Sequence, residues 1–389
     1  MAAPENEKLP RRDFLLLPLI ALFTAAALAA SAEVTARFFF AENAVETCVD
    51  RDPVLAYKLR PNCVSQLKAA EGPVVENRFN ACGYRTKEPC GPKPANALRV
   101  ALLGSSFVEG FMVPYEETFA ARATAQLTRV CHRPVEFQNL GVAGYQPLEF
   151  YHRVDEALSL NPDLVVMGLV PFELERPVDP RRIADRDHPA PLEMQMKPEP
   201  ADLLSRVKKE ITESRGVLAA QHFMFQDRDT YARMFLLYGD KADYLRQPFT
   251  PAWEQRFSDL DILLGDMARK VHGAGLDLML LVGPARIQAA LLGEEKRPAN
   301  VDPLAFGRRV AEIAQRHGII LLDSVEAFAR LPHAEKLFYA VDGHLNAEGH
   351  QVLETALVDK LTSGSVPAFA GCADSAAPPT PEQPTVARR

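Results

Sequence analysis

The sequence lacks several features that mark particular classes of protein. Its formal charge is −7 with acidic and basic residues interspersed, so there is no basic stripe to neutralise phosphates and we expect no nucleic-acid partner. None of the six cysteines forms a C-x-x-C pair, the spacing of many zinc and redox sites. Apolar residues make up 47% and charged residues 24%, which argues against a disordered or multi-spanning protein.

A single long uncharged apolar run, residues 14–32, follows Lys8, Arg11 and Arg12. As a helix it approaches the ~30 Å thickness of bilayer hydrocarbon. The positive flank predicts that residues 1–13 stay in the cytoplasm and that the rest of the chain lies outside it. We therefore expect the membrane to be a partner of the protein through this segment.

Two forms of export remain open for this leader. Ala30, Ser31 and Ala32 satisfy the A-x-A pattern of a signal-peptidase site, whereas the length of the run also suits an uncleaved anchor. Arg11 and Arg12 also resemble a twin-arginine export signal. The expected location is the inner membrane facing the periplasm, or the periplasm itself.

The cysteines fit an oxidising compartment. Two pairs fall in a loop-rich stretch where disulfides would substitute for a missing core, and two cysteines stand alone: Cys48 and Cys63, Cys82 and Cys90, then Cys131 and Cys372. The connectivity is open, and buried free thiols are the alternative.

Composition divides the rest of the chain into four parts. We predict an irregular N-terminal extension over residues 33–95, a main domain over 96–362, an insertion with its own helices at 173–250, and a disordered Pro- and Ala-rich tail over 363–389. The insertion includes an amphipathic pattern at 203–218.

Within the main domain, apolar runs of strand length alternate with helical patterns. Strands are predicted at 98–103, 135–140, 163–170, 276–282 and 318–322, and helices at 116–129, 148–158, 253–272, 303–317 and 347–362. Such βαβ units imply a parallel sheet covered by helices on both faces, so the predicted fold class is a three-layer α/β/α fold.

Ser106 lies in the short turn Gly104-Ser105-Ser106 that ends the first of these strands. A serine at a strand-to-helix turn exposes its hydroxyl and points its backbone N–H into the crevice beyond the strand ends, as a nucleophile requires. Capping of the following helix is the alternative role. The G-x-S-x-G pattern of α/β-hydrolases is absent, because Val108 takes the place of its last glycine.

Asp342 and His344 lie on a short loop before the last helix. They are candidates for the carboxylate and imidazole of a triad, in which Asp fixes the His tautomer and His takes the serine proton. A merely capped loop is the alternative.

Together these segments resemble the SGNH, or GDSL-like, hydrolases. Residues 104–106 stand where that family has its Gly-Asp-Ser block, 139–145 resemble its glycine block, and 342–346 resemble its final Asp/His block. The resemblance covers residues 98–361 and implies the flavodoxin-like fold of the family.

The resemblance also implies roles for individual residues. Ser106 would be the nucleophile, His344 the general base and acid, and Asp342 its orienting partner. The backbone N–H groups of Ser106 and Gly144 would donate to the oxyanion. No metal or organic cofactor is implied.

The chain departs from the family in three places. Ser105 replaces the Asp of the first block. The final block reads D-x-H where many members of the family have D-x-x-H. The shorter D-x-H form is also seen in relatives that acetylate exopolysaccharides such as alginate. Residues 167–173 contain no Asn, where the family has an Asn that donates to the oxyanion. Loss of one such donor costs ~10²–10³ in rate.

The expected function is that of an extracytoplasmic serine esterase that removes an acyl group, with acetyl favoured, from a carbohydrate or cell-envelope polymer. Its substrate would be an acylated carbohydrate or a small ester, processed through an acyl-serine intermediate. An O-acetyltransferase acting on an exopolysaccharide, and a non-catalytic envelope binding protein that retains the fold, are the alternatives.

Overall fold

The structure, a computed structural model, describes residues 12–191, 213–293 and 297–373. Three sequence predictions fall wholly or partly outside these ranges: most of the cytoplasmic segment 1–13, the first part of the amphipathic pattern at 203–218, and the tail beyond residue 373.

The chain begins with a helix that stands apart from the main body. Helix α1, Asp13–Phe39, has 27 residues, and it is the one helix among the described residues that is long and apolar enough to cross a membrane. None of its most apolar stretch is buried in the protein.

The extension after α1 contains strands, so the prediction of an irregular segment is wrong in this respect. The five strands are β1 Asn43–Val45, β2 Val49–Asp52, β3 Ala56–Leu59, β4 Val64–Lys68 and β5 Val74–Arg78. They form two small antiparallel sheets, one in the order β1-β4-β5 and one joining β2 to β3. Strands this short with mostly exposed residues carry a weak sequence pattern, which is why periodicity did not reveal them.

The main domain alternates strands and helices as predicted. Its elements are β6 Leu98–Leu103, α2 Ser106–Glu109, α3 Phe119–Val130, β7 Val135–Asn139, α4 Pro147–His152, α5 Val154–Ser159, β8 Leu164–Leu169, α6 Pro180–Ala184, α7 Arg215–Met224, α8 Arg228–Phe235, α9 Pro251–Gly273, β9 Asp277–Val282, α10 Arg286–Leu292, α11 Ala305–Arg316, β10 Ile320–Asp323, α12 Val325–Ala329, α13 Ala347–Thr362 and α14 Ala370–Ala373. Helix α3 begins later than predicted because the Thr118 side chain caps it, accepting a hydrogen bond from Ala121 N–H.

Strands β6 to β10 form one five-stranded sheet in the order β10-β9-β8-β6-β7, and every pairing is parallel. Alternate residues of β6 face two separate cores: Val100 and Leu102 pack with α3 and α13, whereas Ala101 and Leu103 pack with α9 and α11. Helices therefore cover both faces, and the predicted three-layer α/β/α fold is confirmed.

This strand order places the end of β6 at the switch point of the sheet. The chain leaves β6 for β7 on one side and later enters β8 on the other side. Open parallel sheets bind ligands beyond the carboxyl ends of their strands at such a point. The loop that carries Ser106 leaves β6 there.

Disulfides join all six cysteines, as Cys48–Cys63, Cys82–Cys90 and Cys131–Cys372. The last of them corrects the predicted start of the tail at residue 363. Val366, Phe369 and Cys372 are buried, and a turn at Pro367–Phe369 and helix α14 carry them against the core below α13.

Candidate active site

Ser106 is the first residue of α2 and follows the end of β6 by three residues. The preceding Ser105 caps this short helix, its hydroxyl accepting a hydrogen bond from Phe107 N–H at 3.3 Å. Gly283, just beyond the end of β9, leaves room for α2, because a Cβ at this position would lie 2.4 Å from the Phe107 ring. Capping and close approach together fix the position of Ser106 at the sheet edge.

The structure brings Ser106, His344 and Asp342 into one hydrogen-bonded row. His344 Nε2 lies 2.7 Å from Ser106 Oγ, and His344 Nδ1 lies 2.5 Å from Asp342 Oδ1. Because a carboxylate only accepts hydrogen bonds, Nδ1 carries the ring hydrogen and Nε2 is free to accept the serine proton.

The charge state of Asp342 suits this tautomer. Burial raises the pKa of the carboxyl, but the hydrogen bond and charge of His344 outweigh burial and hold the pKa below its usual value. Asp342 is therefore ionised at neutral pH.

The Asp-Gly-His turn is shaped by its own backbone. Tyr339 N–H donates to His344 O at 2.9 Å and Gly343 N–H donates to Tyr339 O at 3.1 Å. Gly343 has φ +85°, a conformation that side chains rarely adopt. Asn346 then caps α13 by accepting from Gly349 N–H at 3.0 Å, which sets the entry of the last helix.

The loop after β7 carries Gly144. Gly144 has φ +86°, and a Cβ there would lie 2.6 Å from the Tyr57 hydroxyl, which donates to Ala143 O at 2.6 Å. Within the described part of the chain, the N–H groups of Ser106 and Gly144 donate no hydrogen bond. Both donors are therefore available to a ligand.

A buried carboxyl fastens this second loop to α2. Glu109 Oε2 accepts from Ala143 N–H at 2.6 Å. Burial raises the pKa of the Glu109 carboxyl, opposed by the nearby Arg85 and by the Ala143 hydrogen bond. Sequence reasoning missed Glu109, because an acidic residue in a short helix gives no signal of burial.

A second buried carboxyl, Glu173, lies in the loop after β8, within the segment 167–173 that contains no Asn. Glu173 is hydrogen-bonded to Ser105 Oγ through one oxygen, and through the other it accepts from Val170 N–H at 2.9 Å. Burial raises the pKa of Glu173 to about 8, despite the lowering effect of these two hydrogen bonds. The Ser105–Glu173 hydrogen bond therefore joins the loop after β8 to the start of α2.

The N-terminal extension also contributes to the site. Glu71, on the turn between β4 and β5, accepts from Val341 N–H at 2.9 Å and from Asp342 N–H at 2.8 Å. Arg85 donates to the carbonyls of Glu109 and Gly110 at the end of α2. Neither residue was singled out from the sequence, because both lie far from the three blocks and outside any periodic pattern.

A narrow apolar pocket opens beside Ser106 and His344. Phe111 and Phe172 flank His344, with ring centroids 5.3 and 6.2 Å from the imidazole, and Phe338 lines the same pocket. His350 lies at its base. Burial lowers the pKa of His350 to about 3, so the ring is neutral and its Nδ1 accepts from Phe119 N–H.

One group of potential metal ligands comes together among the described residues, at Glu46, Cys48 and Cys63. The two sulfurs form a disulfide and are therefore not available as thiolate ligands.

The fold and the row define an α/β protein with a site of the serine-hydrolase type. No family model matches the chain, and no curated protein matches it. Solved structures that resemble it include an α/β hydrolase from the metagenome of Lake Arreo, Spain (15% identity, TM-score 0.37, covering 68% of this chain and 94% of that one).

Two further structures are similar to the same extent. One is a catalytic mutant of an acetylxylan esterase from Geobacillus stearothermophilus (14% identity, TM-score 0.37, covering 68% of this chain and 93% of that one). The other is a lipase/acylhydrolase from Enterococcus faecalis (12% identity, TM-score 0.38, covering 68% of this chain and 95% of that one). At identities this low, the function has to be inferred from the geometry of the site in this protein.

Proposed function

We propose that the protein is an extracytoplasmic serine esterase that removes acetyl groups from a carbohydrate or cell-envelope polymer. The observation that carries the proposal is the row formed by Ser106, His344 and Asp342 at the switch point of the sheet. A serine, an imidazole and a carboxylate in this order are what acyl transfer through a covalent acyl-serine requires.

The geometry assigns a task to each group. Ser106 Oγ attacks the ester carbonyl while its proton passes to His344 Nε2, 2.7 Å away. His344 then gives this proton to the leaving alcohol, and the acyl group stays on Ser106. A water molecule, deprotonated by His344, attacks the acyl-serine and releases the acid. Asp342 holds the ring and stabilises its charged form.

The oxyanion that forms in each step has two backbone donors, the N–H groups of Ser106 and Gly144. The loop after β8 contains no asparagine to add a third donor; it presents Phe172 to the site and turns Glu173 inward. We therefore expect turnover slower than that of relatives with a third donor, by ~10²–10³ for a donor of this kind.

The pocket beside the row supports acetyl as the acyl group. The pocket has a free volume of about 10 Å³, which is room for roughly one water-sized group, and aromatic rings line it. A methyl group fits such a space, whereas a longer chain requires Phe111, Phe172 or Phe338 to move.

A second, polar cavity supports a saccharide as the rest of the substrate. It has a volume of about 400 Å³, and Phe338 lines both it and the acyl pocket. Its charged and aromatic lining offers hydrogen bonds and stacking faces, the means by which sugars are held. The lining includes Lys68, Glu71, His222, Lys336 and Tyr339.

The apolar α1 and the three disulfides support an extracytoplasmic location.

The test is hydrolysis by the purified full-length protein. We expect p-nitrophenyl acetate to be cleaved, the octanoate to be cleaved at least tenfold more slowly, and Ser106→Ala to be inactive. Ser159→Ala, an exposed serine, is the matched control and should keep full activity. A fully active Ser106→Ala variant would overturn the proposal.

A second experiment separates the esterase from the acetyltransferase. With an acetylated oligosaccharide, free acetate indicates an esterase, whereas transfer of acetyl to an added sugar indicates the acetyltransferase.

A further inference from the structure

We propose that α1 is a retained anchor that holds the active site at the membrane surface, so that the acetylated saccharide is a membrane-bound one. This inference rests on the proposed function for its chemistry, and on an unbroken path of contacts from α1 to Asp342 for its geometry.

The length of α1 sets the height of the site above the bilayer. With its uncharged residues 14–32 in the hydrocarbon, Glu33 lies at the boundary, and residues 33–39 rise about 10 Å above it. The helix is continuous through Ala30, Ser31 and Ala32, so the candidate cleavage site lies inside a helix whose next turn belongs to the folded body.

That next turn is fixed to the insertion. Glu33 accepts hydrogen bonds from Ser214 Oγ at 2.6 Å and from Gly216 N–H at 2.7 Å, at the start of α7. Helix α7 packs alongside α1. The Phe40 ring meets His222, near the other end of α7, with ring centroids 5.2 Å apart. Contacts at both ends of α7 therefore fix the last turns of α1 to the insertion.

From the top of α1, two short routes lead to Asp342. In one, β1 follows α1 almost directly and pairs with β4, and the turn after β4 carries Glu71. In the other, His222 Nδ1 contacts Glu71 at 2.5 Å. Both routes meet at Glu71, whose second oxygen accepts from Asp342 N–H. Only a few side chains therefore separate the catalytic row from the top of the anchor.

The polar cavity lies at this junction. Phe39 and Phe40, at the end of α1, line it together with Glu71 and His222. Phe38, Phe39 and Phe223 are 70–80% exposed around the same junction. Apolar rings exposed next to a membrane helix fit lipid headgroups and acyl chains better than bulk water. The occupant that suits this position is an acetylated saccharide attached to the membrane.

The height of the site can be measured without catalysis. Because all six cysteines form disulfides, a cysteine introduced by Lys336→Cys can be labelled with a fluorophore in the full-length protein. The control is Ala274→Cys, in the turn before β9, at the end of the strand away from the catalytic loops; a strand of this length spans ~20 Å. In phosphatidylcholine vesicles with rhodamine-labelled headgroups, we expect clearly higher energy transfer from position 336. Equal or lower transfer from position 336 would overturn the inference.

The substrate is tested by comparing dodecyl tetra-O-acetylglucoside in the same vesicles with its soluble methyl counterpart. We expect kcat/KM to favour the dodecyl compound by at least tenfold. Glu33→Ala should reduce this preference severalfold and leave the methyl compound unaffected, whereas Glu33→Gln, which keeps an acceptor oxygen, should retain most of it. A preference unchanged in Glu33→Ala would contradict the inference. If neither glucoside is hydrolysed, the proposed function fails, and the label comparison alone decides where the site lies.

Discussion

At the residue scale, Asp342 keeps the hydrogen of His344 on Nδ1. In Asp342→Asn the amide can present its NH2 group to Nδ1, so the ring hydrogen moves to Nε2 and Ser106 loses its base. We expect kcat to fall by ~10²–10⁴ with little change in stability. Steady-state kinetics on p-nitrophenyl acetate measure this. Asp50→Asn, an exposed carboxylate, should behave as wild type, and an active Asp342→Asn enzyme would show that the row is not catalytic.

Glu173 makes stability depend on pH. Its pKa is about 8 in the folded protein and near 4.5 in the unfolded chain, so the folded state holds the extra proton between these values. The contribution of the proton is complete below pH 4.5 and is lost as pH rises to 8. We expect wild type to lose a few kcal/mol relative to Glu173→Gln over this range. Urea unfolding at pH 5 and pH 8 tests it, and a constant difference between the two proteins would contradict the raised pKa.

Sequence reasoning found the row and missed its supports for a physical reason. Ser106, Asp342 and His344 sit in short loops after strands, where residue type and order carry the chemistry. Glu109 and Glu173 are buried carboxyls that hold the neighbouring loops by hydrogen bonds. Their burial depends on tertiary packing, which a single sequence does not display.

At the scale of elements, the turn between β4 and β5 acts as a brace for the catalytic loop. In Glu71→Ala the N–H groups of Val341 and Asp342 lose their acceptor, so we expect Asp342 to be poorly placed and kcat to fall roughly tenfold or more, with a smaller change in KM. Glu71→Gln keeps an acceptor oxygen and should restore most of the rate.

A merely structural role of Glu71 is separated from this brace by two readouts. The pH profile of kcat/KM should shift in Glu71→Ala, because the Asp342–His344 hydrogen bond changes, and should return towards wild type in Glu71→Gln. An unshifted profile with lowered thermal stability would assign Glu71 to folding alone.

The elements differ in how well the sequence predicted them. Strands β6, β8 and β9 are buried along their whole length or nearly so and read as apolar runs, so their positions were predicted to within a residue. Strands β1 to β5 lie mostly at the surface and are held by pairing and by the Cys48–Cys63 bond. Their short, mixed sequences gave no pattern to read, and the extension was therefore predicted to be irregular.

At the scale of the whole molecule, the Cys131–Cys372 disulfide ties the C-terminal segment to the end of α3 across 241 residues of sequence. We expect the double variant Cys131→Ser, Cys372→Ser to lose about 2–4 kcal/mol of unfolding free energy. Its kcat should be unchanged, because the bond lies beneath α13 and not among the loops of the site. Denaturant unfolding and acetate release from the same preparation measure both quantities, and a stable but inactive variant would contradict this separation.

The central claim is that the Ser106 hydroxyl is an activated nucleophile. A fluorophosphonate probe followed by intact-mass and peptide mass spectrometry tests it directly. We predict one adduct per chain, located on Ser106, absent in Ser106→Ala and strongly slowed in His344→Ala. Wild-type protein that takes up no probe, or an adduct that persists in Ser106→Ala, would contradict the claim.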